Sequence, residues 1–296
     1  MRGAPSDRRI KSAERPELRA SSTRYHRAPG SQVLTHSNTP SRMGAAMVET
    51  LLGGHGGTWR DMALLDDVID ASGGMARWNS LSRFTLHLSI GGTLFADAGH
   101  AREFKDVTAE GSTRTQSLRF TGITGGERSG SFQPDAITIE NLDGEVLQSW
   151  SNPVLAFAEV GPPALADELY LVFFCGVAIW SYLTTPFLLA HPDVVIEELS
   201  PWQESAETWR RLRAQFPAHL TMLASEQILY FDESALQRRM DHDLFGMKIA
   251  HSSWAHDSFG GIVVPTLRRI QTLRPDGTVI AKPVLMDVEI FDAVFE

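Results

Sequence analysis

The sequence predicts an α+β protein that is mostly antiparallel β: a curved sheet, or half-barrel, of about ten strands wrapped around one long apolar helix. Three observations predict it. Residues 169–190, LYLVFFCGVAIWSYLTTPFLLA, run without a charge and are apolar on nearly every side, so they must be buried in lipid or in protein. Most of the remaining body reads as short alternating segments bounded by Gly, Pro and Asp-Gly turn signals. Those segments do not alternate with helical patterns, so a parallel βαβ sheet is excluded.

In chain order, residues 1–57 read as a disordered basic tail, rich in Ser, Arg, Pro and Thr and without apolar periodicity. Residues 58–296 read as a single half-barrel domain. Leu64, Leu65, Val68 and Ile69 have helical spacing, and Gly73-Gly74 ends that helix. A short turn through Trp78 follows. Phe84, Leu86, Leu88 and Ile90 alternate with Thr85, His87 and Ser89 as a half-buried strand, and Gly91-Gly92 marks a bend. Further strands are expected over 101–107, 116–121 and 130–133. Strands 136–141 and 145–150 flank the hairpin signal Asp143-Gly144. After the apolar helix, Pro192 and Pro201 punctuate a connection containing 194–199, and a strand is expected over 209–216. A hairpin of 226–231 and 236–241 follows, then 248–254 and 264–273. A hairpin at Asp276-Gly277 leads into 278–280, and 284–291 closes the chain.

Charge and cysteine usage narrow the function classes. Residues 1–46 hold nine Lys/Arg and three acids, whereas the remainder holds 18 basic and 33 acidic residues. A body that acidic is a poor nucleic-acid binder, and its expected ligands are neutral or apolar. The one cysteine, Cys175, lies in the apolar run, which rules out an intrachain disulfide framework and a thiolate metal cluster. It reads as a small buried hydrophobe.

The apolar run meets the length criterion for a membrane span. Pro186, Ser181, Thr184 and Thr185 inside it argue for a buried helix instead, as do its acidic flanks. No Lys or Arg occurs between Arg128 and Arg210 to orient a span. No stable membrane span is expected. Pro162-Pro163 suits the helix start, and Asp167 and Glu168 complement its dipole. Tyr170, Ser181, Thr184 and Thr185 fall near one stripe, which either faces a polar cavity or bonds back to its own helix.

The turns and strand order carry a resemblance. An early helix ends in Gly-Gly and Trp78. Later come Tyr230-Phe231-Asp232 with Leu236 and Arg239, then Phe259-Gly260-Gly261 leading to Val264-Pro265-Thr266, and last the Asp276-Gly277 hairpin. Over residues 62–292 this resembles the bacterial lipoprotein-carrier-like superfamily of half-barrels. A run like Trp180 to Leu189 is also similar to uncharacterised bacterial proteins, which brings no function with it. The resemblance implies an antiparallel half-barrel whose concave face holds a hydrophobic site covered by helices. It departs from the exported carriers because no signal peptide is recognisable, so a cytoplasmic location is expected. The same scaffold also serves a cofactor-free enzyme of violacein biosynthesis.

Candidate site residues follow from that architecture. An apolar ligand would meet Tyr170, Phe174, Trp180, Tyr182, Thr184, Thr185 and Phe187 on the helix, with Tyr230 and Trp254 on the sheet. Asp241, His251, His256 and Asp257 form the densest cluster of acid–base groups. His191 follows the helix directly and either caps its C-terminus or acts at the mouth of a cavity. His87 is a site candidate if its sheet face is concave. Arg211 or Arg213 could clamp a ligand carboxylate, against a solvated face of local ion pairs. His251 and His256 are five apart, which matches neither a helical HxxxH nor an alternating strand pair, and no metal site is expected. Phosphate-loop, Rossmann, nucleophile-elbow and zincin fingerprints are absent, and no cofactor is expected. The expected function is binding of a small hydrophobic, lipid-like or aromatic, ligand in the concave cavity. The alternative is a cofactor-independent enzyme acting on an apolar substrate there.

Overall fold

The computed structural model describes residues 61–153 and 165–296. The tail expected over 1–57 lies outside the described residues. Helices α1 (Asp61–Ala71) and α2 (Met75–Asn79) lead into β1 (Arg83–Gly91). A short helix α3 (Thr93–Asp97) precedes β2 (Val107–Ser112), β3 (Leu118–Ile123), β4 (Arg128–Gln133), β5 (Ala136–Asn141) and β6 (Val146–Ser151). The long helix α4 (Glu168–Leu188) follows. The chain then runs through β7 (Val195–Glu204), β8 (Glu207–Gln215), β9 (Glu226–Phe231), β10 (Gln237–Leu244), β11 (Met247–Phe259), β12 (Ile262–Thr272) and β13 (Met286–Phe295).

All thirteen strands form one antiparallel sheet in the order β6-β5-β4-β3-β2-β1-β13-β12-β11-β10-β9-β8-β7. The order explains the helix. The chain meanders outward from β1 to the edge strand β6 and must restart at the opposite edge, β7. The connection that carries α4 therefore crosses one face of the sheet. The second meander returns to the centre, where β13 pairs with β1. Register shifts in five of the pairings add local bends to a curved sheet.

The crossing buries α4 on all sides, which is why its sequence is apolar on nearly every side and carries no charge from Leu169 onward. Seventeen of its side chains or backbone positions are buried, from Tyr170 to Phe187. Each large apolar side chain so buried contributes roughly 1.5–3 kcal/mol. The helix is long and apolar enough to cross a membrane, yet 89% of its most apolar window is buried within the protein. Asp167 caps it, accepting the backbone N–H of Leu169 at 2.9 Å and of Tyr170 at 3.2 Å. Glu168 in the first turn is held by Arg128 at 2.5 Å. Gly176 is the point of closest approach to β4: a Cβ there would lie 2.5 Å from Cβ and Cγ of Phe132.

The sheet is larger than the ten strands expected, and three local expectations are corrected. Residues 101–106 form turns, and the strand starts at Val107, because Glu110 and Gly111 disguised a strand of weak propensity. The bend at Gly91-Gly92 is followed by α3. Pro201 lies within β7 instead of ending it, which an edge strand with a register shift tolerates. Residues 278–280 make only an isolated bridge, Leu273 to Val279.

Candidate functional site

Two places along α4 carry polar groups in unusual surroundings. They lie on opposite flanks of the helix, because Trp180, Thr184 and Phe187 share one stripe while Tyr182 points the other way.

The first is an open cleft of about 750 Å³ at the C-terminal end of α4. Trp180, Thr184, Phe187 and Leu188 line it from the helix, and Met75 and Trp78 from α2. The indole of Trp78 stacks on the ring of Phe187, with centroids 4.2 Å apart and planes 6° from parallel. The Trp180 indole N–H donates to the Ser112 carbonyl at 2.9 Å, which fixes that ring. Around this apolar floor runs a polar rim that includes Arg114, Gln116, Gln133, Asp135 and His191. Gln116 bridges to the loop after β8: its amide donates to the Thr221 carbonyl and accepts from the Thr221 N–H, both at 2.8 Å.

His191 stands at this mouth, beside Asp193 and His219, whose ligand atoms lie within 4.8 Å of one another. The His191 Nδ1 accepts the backbone N–H of Asp193 at 3.2 Å.

The second place is closed. Tyr182 packs against His251 edge to face at 5.5 Å, and the Arg268 guanidinium sits 4.2 Å from the centre of the Tyr182 ring. Ser253 faces Arg268 directly across β11 and β12, and His242 on β10 lies 4.7 Å from His251. Burial pushes the Tyr182 hydroxyl up, holds His251 well below the ordinary imidazole range, and lowers Arg268 to about 10. His242 is lowered for the same reason.

The remaining residues singled out from the sequence lie elsewhere. Ser181, Thr184 and Thr185 donate their hydroxyls to Ala178, Trp180 and Ser181 carbonyls of their own helix. Thr184 still lines the cleft. Tyr170 stacks on Trp150, and Phe174 on Phe245, near the N-terminal half of the helix. Tyr230 and Asp241 lie on the sheet face away from α4, since they alternate with inward Leu229, Met240 and His242. There Tyr230 donates to Asp241 at 2.7 Å, and Asp241 accepts two bonds from Arg239 at 2.6 and 2.8 Å. Desolvation, then the Asp241 charge, pushes the Tyr230 hydroxyl up to about 12. Trp254 lies under Arg269, His256 meets the Gln237 carbonyl at 3.1 Å, and exposed Asp257 caps the Ser258 N–H. His87 pairs with Asp106 at 2.6 Å on an exposed face. Arg213 and Arg210 pair with Glu197 and Glu198.

Arg268 and Ser253 were missed as site residues, although the signal was present. Ile262, Val264, Arg268 and Ile270 share one face at period two, so an arginine stands in an apolar stripe.

No protein-family model matches the chain, and no curated protein matches it. Among solved structures the chain is similar to a LolA superfamily protein from Nitrosomonas europaea, at 8% identity and TM-score 0.43, covering 78% of this chain and 92% of that one. It is similar to a DUF1329 family protein from Desulfovibrio piger, at 10% identity and TM-score 0.37, covering 80% and 93%. It is also similar to the Mycobacterium tuberculosis lipoprotein LppX, at 13% identity and TM-score 0.24, covering 62% and 89%.

Proposed function

We propose that the protein binds a small hydrophobic molecule in the cleft at the C-terminal end of α4. The observation that carries this is the cleft itself: about 750 Å³, floored by the stacked Trp78 and Phe187 with Trp180 beside them, and rimmed by polar groups. Small-molecule sites combine such volume and aromatic lining with a few orienting polar groups. An aromatic or acyl body would lie on the rings, with a polar end toward Gln116, Gln133 or His191. Binding is favoured over catalysis because, among the described residues, no histidine and carboxylate meet at hydrogen-bond distance inside the cleft.

Titration of the purified full chain with an apolar fluorescent probe, with native mass spectrometry of the same preparation, tests this. Saturable binding at one site, weakened at least about tenfold by Ala190→Trp, is expected. Ala190 lines the cleft from an exposed position, so this variant fills the site while changing stability by less than about 0.5 kcal/mol. Unsaturable binding, or affinity unchanged in Ala190→Trp, would count against the cleft.

A further inference from the structure

We propose that Arg268, Tyr182, His251 and Ser253 form a buried site for a small monovalent anion, on the opposite flank of α4 from the cleft. The protein contains its own control for this. Among the described residues two arginines are almost wholly buried: Arg239 at 1% exposure and Arg268 at 4%. Arg239 is fully engaged, with two bonds to Asp241, one to the Gly277 carbonyl at 2.7 Å and a contact to Glu204 at 3.4 Å. Arg268 has no acid within salt-bridge distance among the described residues, and its Nη1 has no hydrogen-bond partner. A buried cation without a counter-charge costs several kcal/mol.

The neighbours share the deficiency. The Tyr182 hydroxyl, both ring nitrogens of His251 and the Ser253 hydroxyl are buried and have no hydrogen-bond partner among the described residues. Unpaired buried polar groups are rare singly, so four residues together mark a place for something else. Each can donate: the guanidinium and both hydroxyls do so outright, and a neutral imidazole has one N–H. A cluster of donors with one positive charge and no carboxylate recognises an anion. Arg268 and Tyr182 line a small void of about 10 Å³ beside Leu183, Val264 and Val288; His251 and Ser253 adjoin these two residues without lining it. That volume is roughly one water-sized probe, which limits the occupant to a halide-sized ion or the end of a carboxylate. A water would fit the space but leave the charge uncompensated. The anion is either free or the carboxylate of an acyl ligand.

Thermal unfolding of the full chain at constant ionic strength distinguishes these cases. Sodium gluconate, too large to enter, is replaced stepwise by chloride or formate. A saturable rise in melting temperature is expected for wild type and its loss in Arg268→Met. Tyr182→Phe, which keeps the ring, is expected to raise the half-saturating concentration several-fold, and it serves as the test should Arg268→Met fail to fold. Dodecanoate is compared with dodecanol in the same assay. Stabilisation by dodecanoate but not by dodecanol, chloride or formate identifies an acyl carboxylate as the source; stabilisation by chloride or formate identifies a free ion. Melting curves that coincide in gluconate, chloride, formate and dodecanoate would overturn the proposal. The cleft is tested by Ala190→Trp, which does not touch this cluster, so either site can fail without the other.

Discussion

Gln116 and Thr221 exchange two hydrogen bonds of 2.8 Å at the rim of the cleft. Gln116 lies in the turn between β2 and β3, and Thr221 in the loop between β8 and β9. In the sheet these strands belong to opposite halves, so the pair joins two distant parts of one curved surface over the end of α4. Gln116→Leu removes both bonds and leaves a backbone N–H and C=O unpaired, at a cost of about 1–3 kcal/mol. A bound apolar probe is expected to leave several-fold faster, measured by stopped-flow displacement. An unchanged dissociation rate would show that the rim does not control exchange.

Gly176 sets how deeply α4 seats against β4. Alanine favours a helix over glycine by about 1 kcal/mol. The added Cβ, however, meets Phe132 at its own Cβ, which no rotamer change can move away. Overpacking of about 1–3 kcal/mol outweighs the propensity gain. Gly176→Ala is therefore expected to lower stability in urea denaturation, and a stabilised variant would show that the helix and strand separate freely.

The two buried arginines are expected to respond in opposite ways. Arg239→Met strands Asp241, whose side chain is only 13% exposed, and costs about 3–5 kcal/mol. Arg268→Met removes a charge with no counter-charge, so in gluconate buffer it is neutral or stabilising by up to about 4 kcal/mol. Chemical denaturation of both variants in the same buffer decides it, and equal losses would show that Arg268 has a partner.

His251 and His242 predict acid sensitivity. Burial lowers both below 6.5, so the folded protein holds them neutral. Above pH 6.5 the unfolded chain also holds them neutral and stability does not change on their account. Below it the unfolded chain takes up protons that the folded chain refuses, and stability falls by up to about 1.4 kcal/mol per pH unit for each histidine. His251→Met is expected to flatten the slope between pH 6.5 and 5 in urea denaturation series; an unchanged slope would place the acid sensitivity elsewhere.

Much of the fold was legible in the sequence, and the reason is periodicity. Phe84, Leu86, Leu88 and Ile90 declare a strand with one buried face, and 169–190 declares a helix with no exposed one. Composition could not reveal that α4 lies in the crossover between the two edge strands, because that follows from β1 pairing with β13 across more than two hundred residues. The polar stripe on α4 was ambiguous for a local reason: a helical hydroxyl can always turn back to its own carbonyls, as Ser181 and Thr185 do. Tyr230 and Asp241 read as neighbours of the ligand, whereas strand alternation turns both away from α4. Arg268 was readable but unread, since an arginine in a stripe of Ile262, Val264 and Ile270 looks like a solvated charge until the facing helix is known.

The most direct measurement is photolabelling of the full chain with an alkyl diazirine, followed by peptide mapping. Labels are expected on the cleft, at Trp78, Thr184, Phe187 or Leu188, displaced by unlabelled ligand and lost in Ala190→Trp. Labels confined to exposed apolar residues such as Leu142, Val146 and Leu147, and indifferent to Ala190→Trp, would contradict binding in the cleft.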